Sequence, residues 1–358
     1  MNQIDTPLIP SRRAGITDLL TVPFPADFAE GAHNAVTTCL KIKASEKVTL
    51  ITDQSCIAIA ASMAVELERL GCAWNSYVLE EVAPRPLDGM PQVVLDDMES
   101  SQVSIFAVEV QQNELRSRMQ MTDVVNRRRM RHAHMVNITA EIMTQGMRAD
   151  FNAVDELSQA VLDKVRQATY VRATTPAGTD IHAQMNPDYK WFKTSGIISQ
   201  EKWGNLPGGE CFTAPGEVNG VFVVDGVVGD FLCKEYGLLR EQPLTIAIEG
   251  NRIVRVRSEN KKLEKDFWAY THTDENSDRV GEFAIGTNIG VERVIGNILQ
   301  DEKFPGVHIA FGDPYGAHTG AKWKSSTHID VVGLRFNIWL GNAAGEEQIM
   351  RDGVFLIG

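Results

Sequence analysis

Hydrophobic and polar positions change rhythm near residue 170 of this 358-residue chain. Upstream, short apolar runs alternate with stretches of helical spacing. KVTLITDQS (47–55) reads as a strand ending in polar residues, and CIAIAASMAVELERL (56–70) as an alanine-rich helix closed by Gly71. AWNSYVLEE (73–81) reads as a second strand, PQVVLDDMES (91–100) as a short helix and QVSIFAVEVQ (102–111) as a third strand. A strand near 135–139 and a helix near 152–169 extend the series. Such alternation predicts an α/β fold, with helices packed on a mainly parallel sheet. Downstream the texture shifts to short alternating runs separated by glycine-marked turns such as Asp225-Gly226 and Gly250-Asn251, the pattern of antiparallel hairpins. One helix is expected to interrupt this half, starting near Val291 once Gly286-Thr287-Asn288 has broken a strand. The expected organisation is an N-terminal α/β domain over 1–170 and a C-terminal β-rich α+β metal-binding domain over 171–358.

Within the β-rich half, polar ionisable residues stand where core residues belong. In SSTHIDVVGLRFNIWL (325–340), alternation puts His328 and Asp330 on one face with Ile329 and Val331 opposite. Burying them without partners would cost roughly 2–7 kcal/mol for each polar group, and more for a charge. Each other, a distant basic residue or a metal ion could compensate them. An HxD pair alone is as well explained by a structural hydrogen bond. In PGVHIAFGDPYG (305–316), His308 shares a face with Ala310. Glu210 opens a strand after a glycine pair in GGECFTAP (208–215), and Glu282 holds a similar place in VGEFAIGTN (280–288). Each is unremarkable singly. Two glutamates, two histidines and an aspartate on short apolar strands make a donor set suited to Zn, Mn, Co or Fe(II). Five such groups suffice for two ions with one bridging carboxylate, which is hydrolytic chemistry. Tyr315, in the glycine-rich loop after the His308 strand, could donate to a developing oxyanion.

Composition narrows the field further. With 43% hydrophobic and 23% charged residues the chain is of ordinary globular composition. A net charge of −12 argues against nucleic acid or an anionic membrane surface as a partner. Cys39, Cys56, Cys72, Cys211 and Cys233 are scattered and are expected to be reduced, buried thiols. No run approaches about 18 apolar residues, and MNQIDTPLIPSRRAG lacks an apolar targeting core, so a cytoplasmic protein is expected. The first strand is followed by no GxGxxG, so nucleotide binding is not supported. The basic stretch NRRRMRHAHM (126–135) could attract anions but reads better as a solvated helix face or subunit-interface charge, with His132 and His134 as surface or packing residues.

The segments NLPGGECFTAP, GEFAIGTN, DEKFPGVHIAFGDPYG and STHIDVV, in this order, resemble the aminopeptidase T and aminopeptidase S family of dinuclear metallo-aminopeptidases, the thermophilic metalloproteases. The likeness runs from about Thr179 to the C-terminus. TDIHAQM and DGVV also match, whereas the first 150 residues are similar only in being α/β. The resemblance implies two divalent ions held by Glu210, Glu282, His308, His328 and Asp330, with Glu282 bridging. It also implies a catalytic role for Tyr315, a second catalytic carboxylate at Glu302, a short peptide or small amide substrate and a homodimer. Between Tyr315 and His328 the chain is shorter than such relatives, so the loop with His318, Lys322 and Trp323 bears on specificity. Three alternatives stand beside an aminopeptidase. One is an amidohydrolase acting on a small non-peptide amide. Another is a mononuclear Fe(II) ring-cleaving dioxygenase of the 2,5-dihydroxypyridine type, against which Ala284 stands in place of that branch's extra histidine. The last is a non-catalytic protein with a structural metal.

Overall fold

A computed structural model describes residues 16–357; the first fifteen residues, the stretch read above for a targeting core, lie outside the described residues. Two compact units emerge, one within Met1–Met147 plus Ile198–Leu206, the other formed by Arg148–Ile197 and Pro207–Gly358. No described helix is long and apolar enough to cross a membrane. All five cysteines are free and buried.

The first unit carries β1 (Lys47–Thr52), β2 (Ala73–Val78), β3 (Val103–Val108) and β4 (Arg131–Val136). The chain then gives β5 (Tyr170–Thr174), β6 (Asp180–Gln184) and β7 (Phe192–Thr194) to the second unit before returning with β8 (Gly204–Asn205). The resulting sheet, in the order β2-β1-β3-β4-β8, is wholly parallel. Val48, Leu50 and Ile51 of β1 are buried, as strands covered on both faces require. Helix Ile57–Leu70 ends where Gly71 takes a left-handed φ of 72° and its N–H bonds the Leu67 and Glu68 carbonyls. The second strand stops at Val78 rather than running to Glu81, because Leu79–Val82 turns into a short helix. The basic stretch divides: Arg127 and Arg128 end helix Leu115–Arg128 in solvent, and Arg129 caps it at φ 53°. Arg131 is instead buried, bonding the Leu40 carbonyl at 2.7 Å and pairing with Glu46. His132 and His134 are buried packing residues.

The second unit continues with β9 (Glu210–Thr213), β10 (Glu217–Val224), β11 (Leu244–Glu249) and β12 (Arg252–Arg257). It then adds β13 (Val280–Gly286), β14 (Gly306–Gly312), β15 (His328–Val332), β16 (Asn337–Asn342), β17 (Gly345–Arg351) and β18 (Val354–Phe355). An eight-stranded antiparallel sheet runs β12-β11-β10-β6-β5-β16-β17-β18, and a five-stranded one β15-β14-β13-β9-β7. One apolar core joins them: Val171, Ile181, Phe222 and Ile246 from the larger sheet meet Phe283, Ile309, Phe311 and Val331 from the smaller, with Val161 and Val165 of helix Phe151–Val165.

The helix expected from Val291 does not form. Gly290 and Gly296 punctuate that segment, and only Ile298–Asp301 coils, after Asn297 accepts from the Leu299 N–H. Two other helices, Asp230–Tyr236 and Lys261–Tyr270, occupy this half instead. The second is capped by Asn260, which accepts from Lys262 and Leu263, and it buries Leu263 and Phe267 one turn apart.

Candidate metal centre

Strand alternation sorts the five-stranded sheet into two faces. Phe283, Ile285, Val307, Ile309, Ile329 and Val331 enter the core. Glu282, His308, His328 and Asp330 therefore point to the opposite face, joined by Glu210 from β9. Register fixes their spacing: Ala310 pairs with both Glu282 and Asp330, Ala284 with both His308 and Phe212, and Gly312 with His328. Alanine at 284 and 310 and glycine at 312 keep the ground between the larger side chains clear.

The carboxylates and imidazoles converge. Glu210, Glu282 and His308, all buried, offer ligand atoms within 4.8 Å of one another. His308 Nε2 lies 3.4 Å from Glu282 Oε1 and 3.5 Å from Glu210 Oε2. His328 Nε2 lies 3.9 Å from the other Glu282 oxygen and 3.7 Å from Asp330 Oδ1. Glu282 thus turns one oxygen to each imidazole. Among the described residues His308 Nε2 is buried with no hydrogen-bond partner, a costly state for a ring nitrogen. Two donors each about 2.1 Å from an ion and at the tetrahedral angle are about 3.4 Å apart. The donor atoms are spaced as ligands of a shared cation are, longer than the usual hydrogen-bond separation of about 2.7–3.2 Å. The residues fit a divalent metal.

Charge points the same way. Glu210, Glu282, Glu302 and Asp330 share the basin with one ammonium, Lys303, which is buried and stands 2.7 Å from Glu210 Oε1 while also pairing with Glu302. Burial raises the Glu302 carboxyl to about 8, Lys303 opposing and Asp330 and Glu210 adding to the rise. Glu282 is raised by burial too, despite His308 and His328. For Glu210 burial is outweighed by Lys303 and His308, which hold it below its ordinary range. His328 is pushed up to about 10, since Asp330 and Glu282 overcome the opposing effect of burial.

Surrounding groups aim the donors. Thr194, paired with Glu210 across β7 and β9, donates to Glu210 Oε1 at 2.8 Å, so that oxygen carries both Thr194 and Lys303 and leaves Oε2 toward His308. Tyr315 follows the turn after β14 in a left-handed conformation, φ 48°, and its ring lies against that of His328, centroids 4.4 Å apart and planes tilted by 42°. Although 43% exposed, its phenol is held well above its usual range by burial and by the Glu282 and Asp330 carboxylates, so it stays protonated. Glu302 caps the short helix Ile298–Asp301 at the basin's edge. All seven residues singled out from sequence stand at this centre. Lys303, Thr194 and the Asp313 carbonyl, which accepts from His328 Nδ1 at 2.9 Å, escaped sequence reasoning. Only the adjacency of Lys303 to Glu302 offered a signal.

The thermophilic metalloprotease (M29) family model matches residues 142–355. Among solved structures, 2,5-dihydroxypyridine dioxygenase from Pseudomonas putida KT2440 superimposes with a TM-score of 0.66 at 14% identity, covering 93% of this chain and 98% of that one. Wild-type AmpT from Thermus thermophilus gives 0.65 at 17% identity, covering 92% and 99%. At these identities both likenesses speak to the fold. No curated protein matches the chain.

Proposed function

This chain belongs to the thermophilic metalloprotease family, and on that premise we propose an aminopeptidase that removes N-terminal residues from short peptides, using two divalent ions, Zn, Co or Mn. Glu210, Glu282, His308, His328 and Asp330 would hold them, with Glu282 bridging. The observation that carries this reading is the split of Glu282, one oxygen toward each imidazole, beside the unpartnered His308 Nε2. Divalent ions there supply Lewis-acid polarisation of a carbonyl and bring the pKa of a water toward neutrality.

The remaining chemistry belongs to the chain's own groups. Tyr315, kept protonated, donates to the oxygen on which negative charge develops. Glu302, a buried carboxyl paired with Lys303, would accept a proton from the attacking water and return it to the leaving amine. Lys303 and Thr194 hold Glu210 in one orientation.

Metal analysis with a peptide assay tests the proposal. Two ions per chain and oxygen-independent release of N-terminal residues are expected. One iron with oxygen uptake would overturn it in favour of ring cleavage, a reading that draws on the likeness to the dioxygenase. Cleavage of small amides but not peptides would instead select an amidohydrolase. The family resemblance also supports a homodimer, which sedimentation returning the monomer mass would refute. Free, buried cysteines support a cytoplasmic setting, and a fractionation that recovers the protein elsewhere would refute that.

A further inference from the structure

Arg279 immediately precedes β13, and its guanidinium lies 3.6 Å from the centroid of the Trp323 ring. It is only partly exposed, and among the described residues the guanidinium has no hydrogen bond or ion pair. Arg172, Arg252, Arg257 and Arg335 of the same unit each have a carboxylate partner. Nearby acids are engaged elsewhere: Asp278 with Arg252, Asp274 with Ser325 and Ser326, and Asp313 with the Tyr315 N–H. A half-buried cation on an indole, in a chain of net charge −12, is an unusual thing to leave unpaired.

Its position is set by one turn. The Gly312 N–H donates to the Arg279 carbonyl at 2.8 Å, and the Gly312 carbonyl accepts from Trp323 Nε1 at 3.1 Å. The next carbonyl, that of Asp313, holds His328 Nδ1 at 2.9 Å, and the Tyr315 ring lies tilted against His328. The Arg279–Trp323 stack and the His328–Tyr315 contact therefore hang from consecutive carbonyls. Since β14 lies between them, the Arg279 and His328 backbones are two strand spacings apart, roughly 10 Å, or about three extended residues.

We propose that Arg279, braced on Trp323, receives a carboxylate of the bound substrate. The proposal rests on the aminopeptidase reading and specifies its substrate class: short peptides bearing an anionic group two or three residues from the N-terminus. Stacking occupies one face of the guanidinium and leaves its edge donors for a bidentate carboxylate. The anion is either the terminal α-carboxylate or an acidic side chain.

Metal-loaded full-length protein is assayed with leucylglycine, leucylglycinamide and leucylglutamic acid α-amide. Wild type is expected to show a KM for at least one acid on the order of ten- to a hundredfold below that for leucylglycinamide. Arg279→Met, which keeps an apolar stem on Trp323, should abolish the difference while leaving leucylglycinamide kinetics within about twofold. A gain by leucylglycine assigns the α-carboxylate, and a gain by leucylglutamic acid α-amide alone assigns the side chain. Absence of any preference in wild type, or its survival in Arg279→Met, overturns the proposal. Calorimetric titration of analogues in which CH2–NH replaces the scissile amide reads the same acid-against-amide difference without turnover. Should no peptide be cleaved, the aminopeptidase reading falls, and the titration alone decides the subsite. If Arg279→Met melts early, Arg279→Lys, which keeps charge but not the bidentate fork, should retain only part of the preference; full retention overturns the proposal.

Discussion

His328 donates from Nδ1 to the Asp313 carbonyl at 2.9 Å, and because a carbonyl only accepts, that nitrogen carries a proton and Nε2 is the one available to a cation. The Asp313 turn depends on Gly312, whose φ is 113° and where an added Cβ would stand 2.1 Å from the Thr327 carbonyl. Gly312→Ala must shift the turn and swing the imidazole. Metal affinity, measured by competition with a chelator, is expected to fall roughly 10–100-fold, the usual effect of losing a group that orients a ligand. Unchanged affinity would mean that His328 holds its orientation without this turn.

Thr194 and Lys303 both grip Glu210 Oε1. Thr194→Val removes one hydrogen bond to a charged acceptor, worth roughly 1.5–3 kcal/mol, and frees the carboxylate to rotate. Metal dissociation constants should rise about tenfold or more, with recovery in Thr194→Ser, which restores the hydroxyl. If valine and serine bind metal equally well, Thr194 does not orient Glu210.

Replacing Tyr315 with phenylalanine keeps the ring against His328 and removes the phenol. A lost oxyanion donor lowers kcat by on the order of 10²–10³ with little change in KM. Metal content should stay at the wild-type level. A variant with normal kcat would exclude the phenol from the reaction, and one that loses metal would make Tyr315 part of the binding shell.

How much of this was legible in the sequence follows from what strand alternation can and cannot encode. The period of two exposed His308 beside Ala310 and His328 beside Asp330 as polar intrusions on apolar strands, and β14 and β15 place them on one face. Register between distant strands is not written in any local window. Thr194 meets Glu210 only because β7, three residues long, pairs with β9, and nothing in FKT announces that. Nothing in the segment DEKF marks Lys303 as buried, yet the fold sets it against two carboxylates. The misplaced helix after Val291 shows a different failure: apolar spacing suggested a helix, but Asp301 gathers the backbone N–H groups of Ile295, Gly296 and Asn297 into a turn instead. There, side-chain bonding to backbone outcompeted the periodic signal.

The first unit carries its own acid-sensitive element in a pair of buried histidines. His132 Nδ1 lies 2.8 Å from Ser104 Oγ and its Nε2 3.1 Å from His134 Nδ1, with Trp203 edge-on to His132 at 5.8 Å between ring centroids. Burial lowers His132 to about 3 and His134 well below its ordinary range. Between pH 6.5 and 3 the unfolded chain binds protons at these positions that the folded sheet refuses, so stability is full above pH 6.5 and declines as the pH falls. At pH 5, about 1.5 units below the ordinary value, His132 alone accounts for roughly 2 kcal/mol of that decline. Denaturant unfolding followed by circular dichroism should show it, and His132→Gln, which cannot charge, should flatten the slope between pH 6.5 and 5. A variant whose stability falls as steeply as that of the wild type would assign the acid sensitivity to other groups.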